Sequence, residues 1–270
     1  MTMEHYSDAQ LALFRSVQRL AYDIAAKVAA DLEPGVTELD AMHRLVAASK
    51  AAGVTDMFHQ PFAWFGDRAA FKGFHHLTSF FPTERQLEPG MPYILDLALI
   101  KDGHATDIGY TVANGSATCE QLRRDLVELR TLILEHVRAG DTMRQVYEQV
   151  DEALKRQGNE NCHKVYPSHV LGHKVGDVAH AGVATLKIAG FEAGALAYLA
   201  KQELSPFLGH PGGSALWNAG HGSKEKPDPG LWAIEPHIGR DGVGAKWEEI
   251  LVVTDTDAYW LDDAVPHLRV

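Results

Sequence analysis

ILDLALIKDGHATDIGYT, residues 94–111, is an apolar run broken by Asp96, then the dipeptide Asp102-Gly103, then a second run that opens on Asp107. Asp-Gly between two runs of β-forming residues signals a two-residue hairpin turn. The turn dictates the register: Asp107 faces Ala98, and Asp96 faces Gly109. The two aspartates are then diagonal neighbours on one face, within reach of a common object. A carboxylate buried in a strand costs free energy unless it is paired or bound to a cation. Two of them on one hairpin imply a partner.

The same turn recurs at Asp241-Gly242, within AIEPHIGRDGVGAKWEEILVVT, residues 233–254. Here the register sets Glu235 directly opposite Glu248. Like charges directly opposed destabilise a strand pair and force one carboxyl pKa upward unless a cation lies between them. Single acids on strands are commonly solvent-facing, but two hairpins that both bring acids into register amid apolar residues favour ligation. Four carboxylates carry the charge that two divalent cations neutralise. Transition metals also recruit imidazole, and SHVLGHKVGDVAH, residues 168–180, supplies His169, His173 and His180. At least one of these is expected to be a ligand. The chain has no His-Glu-x-x-His pattern.

Outward from the hairpins, helices alternate with strands. Ser7 to Gln10 reads as a capping box opening a helix to Asp31, with Leu11, Phe14, Val17, Leu20 and Ile24 at helical spacing. Pro34-Gly35 ends it, and Thr37 caps a second helix toward Gly53. Residues 117–138 form a third, and Thr142 caps a fourth that stops at Gly158. Leu32–Gly53 and Val137–Gly158 align without a gap, matching Gly35 with Gly140, Thr37 with Thr142, and Gly53 with Gly158. Each helix pair precedes an Asp-Gly hairpin. The chain is therefore expected to be one domain, residues 1–270, with related helix–helix–sheet halves at about 8–115 and 117–262. An irregular insertion is expected over about 181–230, with one helix from Phe191 to Glu203.

Composition excludes several classes. Of 270 residues, 46% are hydrophobic and 23% charged, ordinary values for a folded chain. A net charge of −11 leaves no basic stripe for nucleic acid. No run approaches membrane-spanning length, and the polar start lacks a secretory apolar segment. Cys119 and Cys162 have no metal or redox spacing and read as reduced thiols, so a cytoplasmic location is expected.

The ordered set Asp, eleven positions to Asp, then Gly-His-x-x-Gly, Ile-Glu-Pro and a strand Glu before ILVVT resembles the pita-bread metallopeptidase superfamily of methionine aminopeptidase, aminopeptidase P, prolidase and creatinase. The resemblance spans residues 8–262. It implies an α+β fold of two pseudo-symmetric halves with the site between them. It also implies two divalent ions (manganese, cobalt, zinc or iron) on Asp96, Asp107, His173, Glu235 and Glu248, with Asp107 and Glu248 bridging. It implies metal-assisted hydrolysis of a short peptide or small amide-like substrate, with Glu235 relaying a proton. His169 and His180 fall where the proline-handling branches carry substrate-contacting histidines. FHHLTSFFP, residues 74–82, carries His75 and His76 where the family has an N-terminal active-site histidine; His76 is the better match, and the adjacent pair leaves both open. Lys246 stands where those branches carry arginine, and His237 where glycine or methionine is commoner. The extra N-terminal domain of the proline-handling enzymes is not part of the expected architecture. A creatinase-like action on a non-peptide molecule and a non-catalytic peptidase-like binding domain are the alternatives, and a homodimer is left open.

Overall fold

Side-chain caps start the helices where their spacing predicts. The computed structural model describes residues 6–54, 56–176, 187–188, 191–192 and 214–269. In it α1 (Asp8–Ala30) opens on the Ser7–Gln10 capping box and α2 (Glu38–Ala51) on a Thr37–Asp40 box. Short strands follow: β1 (Asp56–Met57), β2 (Phe62–Phe65), β3 (Tyr93–Leu97), β4 (Leu99–Lys101), β5 (His104–Ala105) and β6 (Ile108–Val112). The second helix pair is α3 (Ala117–Ala139), capped by Ser116, and α4 (Met143–Gln157), capped by a Thr142–Gln145 box. Then come β7 (Glu160–Asn161), β8 (Gly172–Val175), β9 (Lys187–Ile188), β10 (Phe191–Glu192), β11 (Leu216–Trp217), β12 (Gly230–Ile234), β13 (His237–Arg240), β14 (Val243–Lys246), β15 (Glu249–Val253) and β16 (Ala258–Trp260). The residues aligned between the halves adopt the same backbone: Gly53 and Gly158 have φ of 76° and 73°, Gly35 and Gly140 of 95° and 85°. These left-handed positions are where a helix stops most easily on glycine.

Both turns form as Asp-Gly dictates, with positive φ at Asp102, Gly103, Asp241 and Gly242. β3 lies between β2 and β6, and Asp96 pairs with Phe62 on one side and Gly109 on the other. In the second half the strand order is β11-β8-β12-β15-β16. Ile234 pairs with Glu249 and His237 with Lys246, so Glu235 lies across from Glu248. An isolated bridge between Tyr110 and Trp247 joins the halves. One apolar core packs α1 and α2 on β2, β3 and β6; another packs α3 and α4 on the second sheet.

The insertion differs from its expected form at both described places. Phe191 and Glu192 are not the start of a helix but an antiparallel strand paired with Lys187 and Ile188; residues 193–203 lie outside the described residues. The far end is not irregular. β11 adds an edge strand to β8, pairing Leu216 with His173, and Trp217 is fully buried with its indole N–H donating to the Met143 carbonyl. Burial of an indole with its N–H satisfied outweighs the loop-like composition around it.

Candidate metal centre

The two halves contribute from opposite sides. β3 supplies Asp96, and the stretch between β5 and β6 supplies Asp107. β8 supplies His173, and Glu235 and Glu248 face each other between β12–β15 and β13–β14. All five are buried, with exposures of 3% for both aspartates, 8% for His173, 6% for Glu235 and 1% for Glu248. His173 Nε2 is 3.6 Å from Asp107 Oδ2 and 3.6 Å from Glu248 Oε1. Its Nδ1 donates to the Lys174 carbonyl at 3.1 Å, and Phe58 stacks on its ring at 5.4 Å.

Two further side chains enter the cluster. Lys246 Nζ donates to Asp96 Oδ2 at 2.6 Å, Glu248 Oε2 at 2.9 Å and Glu235 Oε2 at 3.0 Å. Gly109 makes its path: a Cβ there would lie 2.7 Å from Lys246 Cε and 2.9 Å from Cγ. The glycine opposite Asp96 lets an ammonium from the other half reach that aspartate. The second is His59, whose Nε2 is 3.1 Å from Asp107 Oδ2 and 3.4 Å from Asp96 Oδ1. The sequence offered no signal for His59: it is a lone histidine 37 positions before Asp96, and it meets the aspartates only through the pairing of β1 with β4.

Electrostatics follow from burial and crowding. Burial, with Asp107 and Glu248 nearby, raises the Asp96 pKa against the pull of Lys246. Burial and Glu248 raise Glu235 in the same way. At Asp107 burial is outweighed by His59 and His173, and its pKa is lowered. Burial opposes protonation of His59, but Asp107 and Asp96 overcome it and lift the imidazole to about 9. Among the described residues, Asp96 Oδ1, Asp107 Oδ1 and Glu248 Oε1 are buried without a hydrogen bond. Orphaned carboxylate oxygens are costly in a native interior unless a cation answers them. His59, Asp96 and Asp107 form one set of donor atoms within 4.8 Å of one another, and Asp107, His173 and Glu248 form another. This donor set fits divalent ions.

Of the histidines expected to contact the substrate, those in the described residues are exposed rather than buried with the five candidate ligands. His75 and His76 are exposed beside a 3-10 turn, Leu77–Phe80, and neither pairs with a carboxylate among the described residues. His169 is exposed too, and both it and Ser168 have left-handed φ, 53° and 61°. Two adjacent non-glycine residues in that region store strain of the kind functional loops retain. His180 lies outside the described residues. His237 is structural: buried, its Nε2 donates to the Ala69 carbonyl at 2.6 Å and ties the loop after β2 to β13.

A family profile, Metallopeptidase family M24, matches residues 12–255. The chain belongs to this family. An "Uncharacterized peptidase" of Staphylococcus aureus (strain USA300) is 24% identical over 176 residues, 64% of this chain and 47% of its own length. A Staphylococcus saprophyticus peptidase of the same description is 26% identical over the same extent. The chain thus matches about half the length of these curated relatives. Among solved structures, X-Pro aminopeptidase from Thermotoga maritima MSB8 superimposes with a TM-score of 0.69 at 14% identity, over 97% of this chain and 63% of the other. Xaa-Pro dipeptidase from Bacillus anthracis gives 0.66 at 17%, covering 96% and 62%. Dipeptidase PepE from Mycobacterium ulcerans gives 0.66 at 21%, covering 97% and 59%. The fold of this M24 chain is the α+β pita-bread fold, as the resemblance implied.

Proposed function

We propose that the chain is a dinuclear metal-dependent hydrolase of short peptides, acting as an aminopeptidase or Xaa-Pro-type dipeptidase. The observation that carries the reading is the buried meeting of four carboxylates and His173, with three carboxylate oxygens lacking any hydrogen bond. Asp96, Asp107, His173, Glu235 and Glu248 would hold two divalent ions, with Asp107 and Glu248 shared. When bound, such ions lower the pKa of water and polarise a carbonyl. The remaining chemistry belongs to the chain. Glu235, which lies across from Glu248 beside the proposed ions, is proposed to take a proton from the nucleophile and deliver it to the leaving amine. Lys246 offsets part of the carboxylate charge at the Asp96 side. His76, His169 and His180 are proposed to donate hydrogen bonds to the substrate and the developing oxyanion.

The family membership, and the aminopeptidases and dipeptidases among the similar solved structures, support peptide substrates. The presence of Lys246 where the proline-handling branches carry arginine weighs against the Xaa-Pro-type form of this reading, because an ammonium lacks the planar two-pronged donor geometry; a small non-peptide amide is the second reading. Among the described residues no helix is long and apolar enough to cross a membrane. A cytoplasmic setting and a homodimer belong to the same proposal; the buried free thiols of Cys119 and Cys162 suit a reducing compartment.

Metal analysis and a dipeptide panel test it, with manganese, cobalt, zinc or iron added to the purified protein. Up to two ions per chain and hydrolysis abolished by Asp107→Ala or Glu248→Ala are expected. Full turnover after exhaustive chelation with no metal detected would overturn it. Turnover of amides but not of any dipeptide would favour the second reading.

A further inference from the structure

His59 is built like a metal ligand, and like His173. A backbone carbonyl only accepts, so the 2.7 Å contact of His59 Nδ1 with the Gln60 carbonyl puts the ring proton on Nδ1. Nε2 is thereby the atom that faces the carboxylates. His173 has the same arrangement through the Lys174 carbonyl. Metal-bound imidazoles characteristically donate their other ring N–H to such an acceptor, which fixes both tautomer and orientation.

Position is as constrained as tautomer. β1 pairs with β4, and the Phe58 amide donates to the Ala98 carbonyl at 3.1 Å, so His59 follows a backbone anchored beside β3. Phe62, in register with Asp96, lies 5.0 Å from the imidazole, and His59 is only 6% exposed. The distances from Nε2, 3.1 Å to Asp107 and 3.4 Å to Asp96, have a simple reading. Two donors each about 2.1 Å from one ion are separated by about 3.0 Å at a right angle and about 3.4 Å at a tetrahedral angle. The Asp96 oxygen involved, Oδ1, is one of the buried oxygens without a hydrogen bond.

We propose that His59 Nε2 is a direct ligand of the ion held by Asp96 and Asp107, a sixth protein ligand in the centre. The inference rests on the metal-centre reading of the proposed function and extends it. With His59, the two halves of the centre become chemically equivalent. Asp96 and His59 serve one ion, Glu235 and His173 the other, and Asp107 and Glu248 both. An imidazole on each ion favours zinc, cobalt or iron over magnesium or calcium, which prefer all-oxygen shells.

Two measurements on the full chain decide it, with zinc alone as the probe. A crystal structure of the wild-type protein soaked in zinc should place His59 Nε2 about 2.1 Å from the ion at Asp96. Calorimetric titration of zinc into His59→Ala should weaken one of the two binding steps roughly tenfold or more, while His173→Ala weakens the other. Two zinc ions in the crystal with His59 Nε2 more than about 3 Å from either would overturn the inference and leave the metal-centre reading standing. So would unchanged affinity in both steps for a folded His59→Ala protein. Failure of the wild-type protein to bind zinc at all would sink both.

Discussion

Lys246 is the residue on which the metal-free site depends. Its ammonium is the shared donor to Asp96, Glu235 and Glu248 and is only 2% exposed. Removing one partner of a buried ionic network leaves uncompensated charge and costs about 3–5 kcal/mol. Lys246→Met should therefore lower the stability of chelated protein by about that amount, with added manganese restoring part of it; urea denaturation with and without the ion reads both. A chelated variant as stable as wild type would show that the ammonium does not offset these carboxylates. Acidity has its own signature. His59 is lifted from 6.5 to about 9 by Asp107 and Asp96 in spite of burial, so the folded state holds its proton more tightly than the unfolded chain. That contribution is fully present below about pH 6.5 and is lost as pH rises through about 9. Glu235, also raised, acts in the same direction from lower pH. Melting temperatures of chelated protein should fall across this window, and His59→Gln should flatten the part between 6.5 and 9. A profile identical in the variant would remove His59 from the account.

At the scale of elements, the site is held by close backbone approaches as much as by strands. The Asp-Gly turns align acids within each hairpin, but β14 must also dock on the 3-10 turn Gly66–Ala70. Gly244 permits this: a Cβ there would sit 1.9 Å from the Ala69 carbonyl oxygen, which is backbone and cannot swing aside. Gly244→Ala should destabilise the protein by at least about 2 kcal/mol through overpacking, measured by chemical denaturation, and should weaken metal binding because Lys246 and Glu248 lie just beyond it. A neutral effect would mean that the docking is not tight. The Gly/Pro-rich composition before β12 predicts an irregular stretch to residue 230, yet β11 is paired and Trp217 buried. Composition reports local conformational freedom; it carries no record of the sheet edge that β8 offers to a passing segment.

The whole molecule is two halves clasped around one charged seam. Tyr22 of α1 donates to the Glu248 carbonyl at 2.6 Å, bringing the first helix onto the second half. Behind Glu248, the next residue points the other way: Glu249 is fully buried and pairs with Arg130 of α3 at 2.6 Å and with His267 at 2.9 Å. Arg130→Met should cost about 3 kcal/mol by stripping that carboxylate of its main partner. It should leave ligand identity at the metal centre untouched, since Glu249 faces away from it; a denaturation curve paired with zinc titration checks both halves of the statement. Much of this architecture was legible in the residues. Helix caps at Ser7, Thr37 and Thr142 and the two Asp-Gly registers are local, settled by neighbours three or four positions away or directly across a turn. They sufficed to set Asp96 beside Asp107 and Glu235 opposite Glu248, and the ordered motif resembled a family whose profile does match. His59 and the triple contact of Lys246 were not legible. Lys246 and Asp96 are 150 positions apart, and His59 reaches Asp107 across 48. No periodicity or turn chemistry links residues so distant. Their meeting is decided by the docking of β1 on β4 and of one half on the other, a packing outcome in which buried charges are placed only once both surfaces that enclose them exist.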